Sequence, residues 1–291
     1  MRWEGREQSS NLEDRRRLKP QGLAIGGGGL LLLLLLGYMF GVDPNDLNQL
    51  IGNANVGQPG APGQAQDREL TAEEQRTQQF AGTILRFTEV VWDEQFRKAR
   101  KQYEPPKMVL FSESVQTGCG VAPAAVGPFY CPADQIVYLD PTFFNELDEK
   151  LGGSKAEFSQ AYVIAHEVGH HVQNLLGYAR IVDQKRRTLP KEEFNEWSVR
   201  LELQADYLAG VWAHYGQQKF QFIEPGDVEA ALLTAKAIGD DRLMRRSTGF
   251  VSPENYTHGT SEQRVKWFRR GLESGDLGAL AELFELPYER L

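Results

Sequence analysis

Two histidines four positions apart, His166 and His170, with Glu167 directly after the first, interrupt an apolar run that begins Ala161-Tyr162-Val163-Ile164-Ala165. On an α-helix four positions are slightly more than one turn, so the two imidazoles project about 40° apart and can reach one point in space. Glu167 projects toward the same side. An apolar helix is an inner helix, and polar groups on it are costly unless something pairs them. A divalent cation would do so, with two neutral imidazoles as ligands and the intervening carboxylate able to take a proton from a water in the open position.

A second segment has matching spacing. Glu202 and Asp206 are again four apart, in Glu202-Leu203-Gln204-Ala205-Asp206. A cation with two imidazoles needs a third protein ligand, and Glu202 fits that role. Asp206 can accept the outer N–H of a ligating histidine and fix its tautomer. An exposed acidic stripe is the plainer alternative, but Leu201, Leu203, Ala205, Tyr207 and Leu208 make the segment too apolar for a solvent face.

Other histidines fit less well. The longer HExxHxxGxxH pattern fails, because Gln173 and Leu176 stand at its glycine and histidine positions. His171 projects about 100° from the ligand face, which predicts a surface or supporting residue. His214 reads as structural. His258 opens His258-Gly259-Thr260-Ser261-Glu262-Gln263-Arg264, a loop leading into a helix. It is a second catalytic candidate beside Glu167, since a histidine or arginine next to the cation could stabilise a developing oxyanion. Helix capping through Thr260 or Ser261 and an ordinary salt bridge for Arg264 remain equally open.

The N-terminal part has a different character. Residues 22–42 carry no charge and include seven consecutive leucines at 30–36, about the length that crosses ~30 Å of hydrocarbon. Six basic residues precede the run and Asp43-Pro44-Asn45-Asp46 follows it, which predicts a single membrane-spanning helix with its N-terminus in the cytoplasm. The expected organisation is a cytoplasmic tail at 1–21, a transmembrane helix at 22–42, a flexible linker at 43–70 rich in Gly, Pro, Asn and Gln, and a folded domain at 71–291. The expected location is the inner membrane, with the domain on the periplasmic side. Cys119 and Cys131 could form one disulfide there or remain buried thiols, and neither belongs to a CxxC pair. A net charge of −8 argues against a nucleic-acid partner.

Within the domain, Thr71 with Glu74 three residues on predicts a capped helix start. Strands are predicted at 107–111 and 135–139, and helices at 141–149, 157–176 (ended by Gly177), 191–215, after Pro225-Gly226-Asp227, and after Gly259-Thr260. The expected fold is α+β, mainly helical with a small β-sheet.

These motifs together resemble the neutral zinc metallopeptidase family of bacterial single-span membrane proteins. The resemblance rests on Met1-Arg2-Trp3, Cys119-Gly120, Gly127-Pro128-Phe129-Tyr130-Cys131-Pro132, residues 134–140, the two helical motifs and His258-Gly259-Thr260-Ser261. The HExxH and ExxxD pair is also similar to the gluzincin group that includes CAAX-processing peptidases. That similarity implies a zincin-like domain with one Zn2+ on His166, His170 and Glu202. It also implies Glu167 as the base activating a zinc-bound water, Asp206 behind the ligands, and His258 beside them. The implied substrate is a peptide or protein. Those relatives have several membrane spans where one is expected here, so substrates within the membrane are not implied. The alternatives are a non-catalytic zinc-containing envelope binding module and a zinc amidase acting on cell-wall peptides. An extended substrate is expected to add to the strand at 135–139.

Overall fold

The computed structural model describes residues 1–16 and 69–291. A four-stranded sheet has the order β1-β2-β6-β5, formed by β1 (Leu12–Asp14), β2 (Lys107–Leu110), β6 (Ile136–Leu139) and β5 (Phe129–Cys131). The first three are parallel and β5 runs antiparallel to β6. Between β2 and β6 the chain makes a separate hairpin, β3 (Ser114–Thr117) with β4 (Gly120–Pro123), and then β5. The predicted strands at 107–111 and 135–139 are β2 and β6, in register Met108↔Val137 and Leu110↔Leu139.

Alternate residues of these strands serve two cores. Met108, Leu110, Val137 and Leu139 face the helices, whereas Val109, Phe111 and Tyr138 join Val115, Ala122 and Cys131 in a small cluster under the hairpin. Burial on both faces explains why β2 and β6 read as continuous apolar runs. β6 is paired on both sides, so it cannot accept a substrate strand as expected from the sequence; the sheet ends at β5.

Among the described residues the α-helices are α1 (Ala72–Lys98), α2 (Phe143–Glu146), α3 (Glu157–Leu176), α4 (Tyr178–Arg186), α5 (Lys191–Phe220), α6 (Asp227–Ala237), α7 (Asp240–Ser247), α8 (Ser261–Ser274) and α9 (Glu282–Glu285). The capping box at Thr71 and Glu74 starts α1, and Gly177, at φ 89°, ends α3. Only Gly readily takes that left-handed conformation, which stops the helix there. The mainly helical α+β expectation therefore holds.

The membrane expectation is corrected. Residues 22–42 lie outside the described residues, and among the described residues no helix is long and apolar enough to cross a membrane. α3 has the length, but Glu157, His166, Glu167, His170 and His171 interrupt it. Residues 1–16, expected as a cytoplasmic tail, are part of the fold. β1 pairs with β2 through Leu12↔Met108 and Asp14↔Leu110, Trp3 is buried edge-on against Phe80, and the buried Glu89 accepts hydrogen bonds from Ser9 and Asn11. Strands in one ladder lie about 5 Å apart. A single crossing between residue 16 and the domain would separate them by about 30 Å of hydrocarbon, so the single-pass, N-terminus-inside placement does not stand.

Candidate metal centre

Two glycine-mediated helix crossings assemble the site. At Gly169, in the middle of α3, a Cβ would sit 3.1 Å from the Ala205 carbonyl oxygen of α5. The absence of a side chain there lets α3 and α5 approach closely, and Glu202, one turn before Ala205, comes up to the histidines. At the second crossing, a Cβ on Gly210 of α5 would lie 2.1 Å from the Phe268 carbonyl oxygen, and one on Gly271 of α8 would lie 2.1 Å from that of Tyr207. Neither helix could carry a larger residue at that contact, and the contact sets Arg264 against Asp206.

His166, His170 and Glu202 offer ligand atoms that all lie within 4.8 Å of one another. His166 Nε2 is 3.3 Å from Glu202 Oε2, and His170 Nε2 is 3.5 Å from Glu202 Oε1. Ligands at ~2.0–2.1 Å from a tetrahedral ion are separated by about 3.3 Å, so this donor set fits zinc. The outer ring nitrogens are also engaged. His166 Nδ1 lies 2.9 Å from Asp206 Oδ1, and His170 Nδ1 lies 2.8 Å from Gln173 Oε1. With Nδ1–H donated to oxygen, each Nε2 lone pair is left to face the common point. Gln173 is itself fixed by donating to the Leu201 carbonyl at 2.6 Å.

Asp206 is fully buried and ties three side chains together. Its carboxylate accepts from Tyr162 Oη, from His166, and from Arg264 through Nε at 2.8 Å and Nη2 at 3.0 Å. Burial alone would raise its pKa, but Arg264 and then His166 outweigh it and hold the group at about 2. Of the two possibilities left open for Arg264, the structure selects the salt bridge. It is buried, and it holds the acid behind His166.

Charges within the site are coupled. Burial disfavours a charged His166, yet Asp206 and Glu202 outweigh it and lift the pKa to about 10. His170 is raised too, by Glu202 against burial. Burial would raise Glu202, but His170 and His258 hold it well below the usual carboxylate value. Glu167 is buried and its pKa is raised, chiefly by desolvation, against the pull of His166 and His170. The side chains of His170 and Glu202 each keep 17% exposure, so the site opens to solvent on one side.

The remaining predicted residues fall as follows. His258 lies in a loop pinned by Asp240, whose Oδ2 accepts from the backbone N–H of Thr257, His258 and Gly259 at 2.7, 2.6 and 3.0 Å. Its ring reaches Asp240 Oδ1 at 3.2 Å, and its charge acts on Glu202. Thr260 caps α8 in a capping box with Gln263. His171 is buried rather than on the surface, between Tyr130 Oη and the Glu104 carbonyl. Cys119 and Cys131 form a disulfide, with Cα atoms 5.9 Å apart.

Sequence reasoning missed Tyr162, Gln173, Tyr130 and Asp240. Tyr162 and Gln173 were within reach of it, one turn before His166 and one turn after His170 on the same helix. Tyr130 and Asp240 meet the site only through tertiary packing.

The chain is 46% identical over 288 residues to the uncharacterized protein YpfJ of Escherichia coli, covering 95% of this chain and 96% of that protein. It is 45% identical over 183 residues to the uncharacterized protein Rv2575 of Mycobacterium tuberculosis, covering 60% of this chain and 61% of that one. No solved structure matches it. The family model described as "Putative neutral zinc metallopeptidase" matches residues 1–282, and the chain belongs to that family.

Proposed function

We propose that the protein hydrolyses peptide bonds with one zinc ion on His166, His170 and Glu202 and with Glu167 as general base. The observation that carries this reading is the convergence of two tautomer-fixed imidazoles and one carboxylate beside a buried acid. Structural zinc sites are closed by four protein ligands, whereas three ligands and a solvent-facing side suit a catalytic one. That difference disfavours a purely structural role for the metal.

Bound zinc supplies Lewis acidity to the scissile carbonyl and to the attacking water. Glu167 takes the proton of that water and returns it to the leaving amine. Asp206 holds His166 in the ligating tautomer, and Gln173 does the same for His170. His258, braced by Asp240, donates a hydrogen bond to the carbonyl oxygen as it becomes negative. An extended peptide lies along the free edge of β5.

The test is zinc stoichiometry together with chelator-sensitive hydrolysis, measured on an unstructured protein and on cell-wall peptide fragments. One zinc per chain and cleavage of the unstructured protein support the proposal. Cleavage of the cell-wall fragments alone replaces it with the amidase reading, and full zinc occupancy without hydrolysis of either rejects catalysis.

A further inference from the structure

His171 directly follows a metal ligand, yet its ring turns to the sheet rather than to the metal centre. It is 1% exposed, with Nε2 2.7 Å from the Glu104 carbonyl oxygen and Nδ1 3.1 Å from Tyr130 Oη. Both bonds have a definite direction. The carbonyl can only accept, so Nε2 carries the proton of the neutral ring and Nδ1 accepts from the Tyr130 hydroxyl. The Asn174 amide donates to that same hydroxyl oxygen at 3.3 Å. His171 and Asn174 are three apart and share one side of α3. Tyr103 and Tyr130 each pack edge-on against the imidazole, with ring centroids 5.9 and 5.5 Å away. Glu104 stands just before β2 and Tyr130 is the middle residue of β5, so one side chain of α3 grips the sheet at both places.

β5 needs such anchoring. It has three residues, pairs with β6 and forms the open end of the sheet. Consecutive side chains of a strand point to opposite faces. Tyr130 accordingly turns to the helices, whereas Phe129 and Cys131 turn to the small cluster under the hairpin. On that second face the fully buried Cys131 is bonded to Cys119, in the turn between β3 and β4. The turn is tied to the sheet by Gly118 N–H donating to Asp134 Oδ2 at 2.6 Å, and Asp134 accepts from Tyr138 Oη of β6 at 2.8 Å. β5 is thus held from one face by His171 and Asn174 and from the other by a covalent bond.

We propose that His171 and the Cys119–Cys131 disulfide, acting through Tyr130 and Cys131 on opposite faces of β5, fix the free edge of the sheet relative to the metal helix and so set the register of an extended substrate. The proposal rests on the hydrolytic reading above and adds to it positioning residues for peptide binding. A strand pairing with β5 takes its height from β5, and β5 takes its height from the turn of α3 that follows His170. Neither Tyr130 nor the cysteines are among the metal ligands, so loosening β5 should impair use of an extended peptide and leave zinc affinity as it is.

The experiment uses the full chain and four variants: Tyr130→Phe, His171→Leu, His171→Gln and Cys119→Ala/Cys131→Ala. Misplacement by about 1 Å costs roughly 100-fold, so kcat/KM on a long unstructured peptide should fall roughly 10- to 100-fold in His171→Leu and in the cysteine-free protein. Tyr130→Phe, which loses only the hydroxyl, should fall less and keep wild-type zinc affinity. His171→Gln should retain most of the wild-type value, because its amide also offers one donor for Glu104 and one acceptor for Tyr130. Tyr130→Phe combined with the cysteine change should lose less than the product of the separate effects, since both act on one strand. Independently of activity, backbone hydrogen exchange across residues 129–131 should accelerate at least about tenfold in Tyr130→Phe, in His171→Leu and in the cysteine-free protein. Wild-type kcat/KM in Tyr130→Phe and His171→Leu overturns the proposal. So does His171→Gln that loses as much as His171→Leu, or exchange that none of the changes accelerates. If the unmodified protein hydrolyses nothing, the functional reading fails, and the exchange comparison still decides whether His171 and the disulfide hold β5.

Discussion

Replacing Asp206 with Asn changes one atom and should disturb both the metal and the fold. The Asp206 carboxylate is fully buried and accepts two bonds from Arg264, one from His166 and one from Tyr162. An amide cannot offer acceptors to all of them, and one of its N–H groups must face another donor. Arg264 is only 3% exposed, so its charge would be left without compensation. Removing one partner of a buried pair costs about 3–5 kcal/mol. For a domain of this size each kcal/mol lowers Tm by roughly 2–4 °C, so the metal-free variant should melt roughly 6–20 °C below wild type in calorimetry. Separately, loss of the carboxylate behind a ligating histidine weakens metal affinity about 10- to 100-fold, which chelator competition would measure. Adding Arg264→Met should recover part of the lost stability, because it removes the unpaired charge, but it should not recover zinc affinity. An Asp206→Asn protein that melts within about 2 °C of wild type and binds zinc equally well would refute the reasoning.

Gly210→Ala should destabilise the protein although alanine is the better helix former: the gain of about 1 kcal/mol in propensity is outweighed by a Cβ placed 2.1 Å from the Phe268 carbonyl oxygen. Chemical denaturation would show this, and a stabilised variant would contradict the close crossing of α5 and α8. Because the acids around His166 raise its pKa to about 10, the metal-free imidazole carries a proton at neutral pH that zinc must displace. Apparent zinc affinity should therefore rise between pH 6 and 8 by about tenfold per pH unit for each proton released, and a flat profile would rule that coupling out. His258→Ala should retain zinc while kcat falls about 10²–10³-fold, the usual cost of losing an oxyanion donor; unchanged kcat would leave His258 a structural role only.

The sequence was most informative where one element alone sets a residue's surroundings. Helical spacing placed His166, Glu167 and His170 on one side of α3, and the apolar context of Glu202 and Asp206 marked α5 as an inner helix. Cap chemistry located the starts of α1 and α8 and the end of α3. What the sequence hid depends on partners distant along the chain. β1 is three residues followed directly by arginines, and it becomes a strand because the edge of β2 is available to pair with it. β5 is equally short and lies in a stretch rich in Gly and Pro that reads as a loop. The membrane topology inferred from residues 22–42 weighed the charges on either side of that run but had no access to the packing of Trp3 on Phe80 or the pairing of β1 with β2. Gly169 and Gly210 look like ordinary helix-weakening residues until the neighbouring backbones are in place.

The most direct test of the central claim separates metal from proton transfer at one residue. Glu167→Gln keeps the shape of the side chain and leaves His166, His170 and Glu202 untouched. The account predicts that the variant holds zinc with wild-type stoichiometry and affinity while peptide hydrolysis falls at least about 10²- to 10⁴-fold, the contribution of a general base. Hydrolysis by Glu167→Gln at the wild-type rate with zinc bound would contradict it.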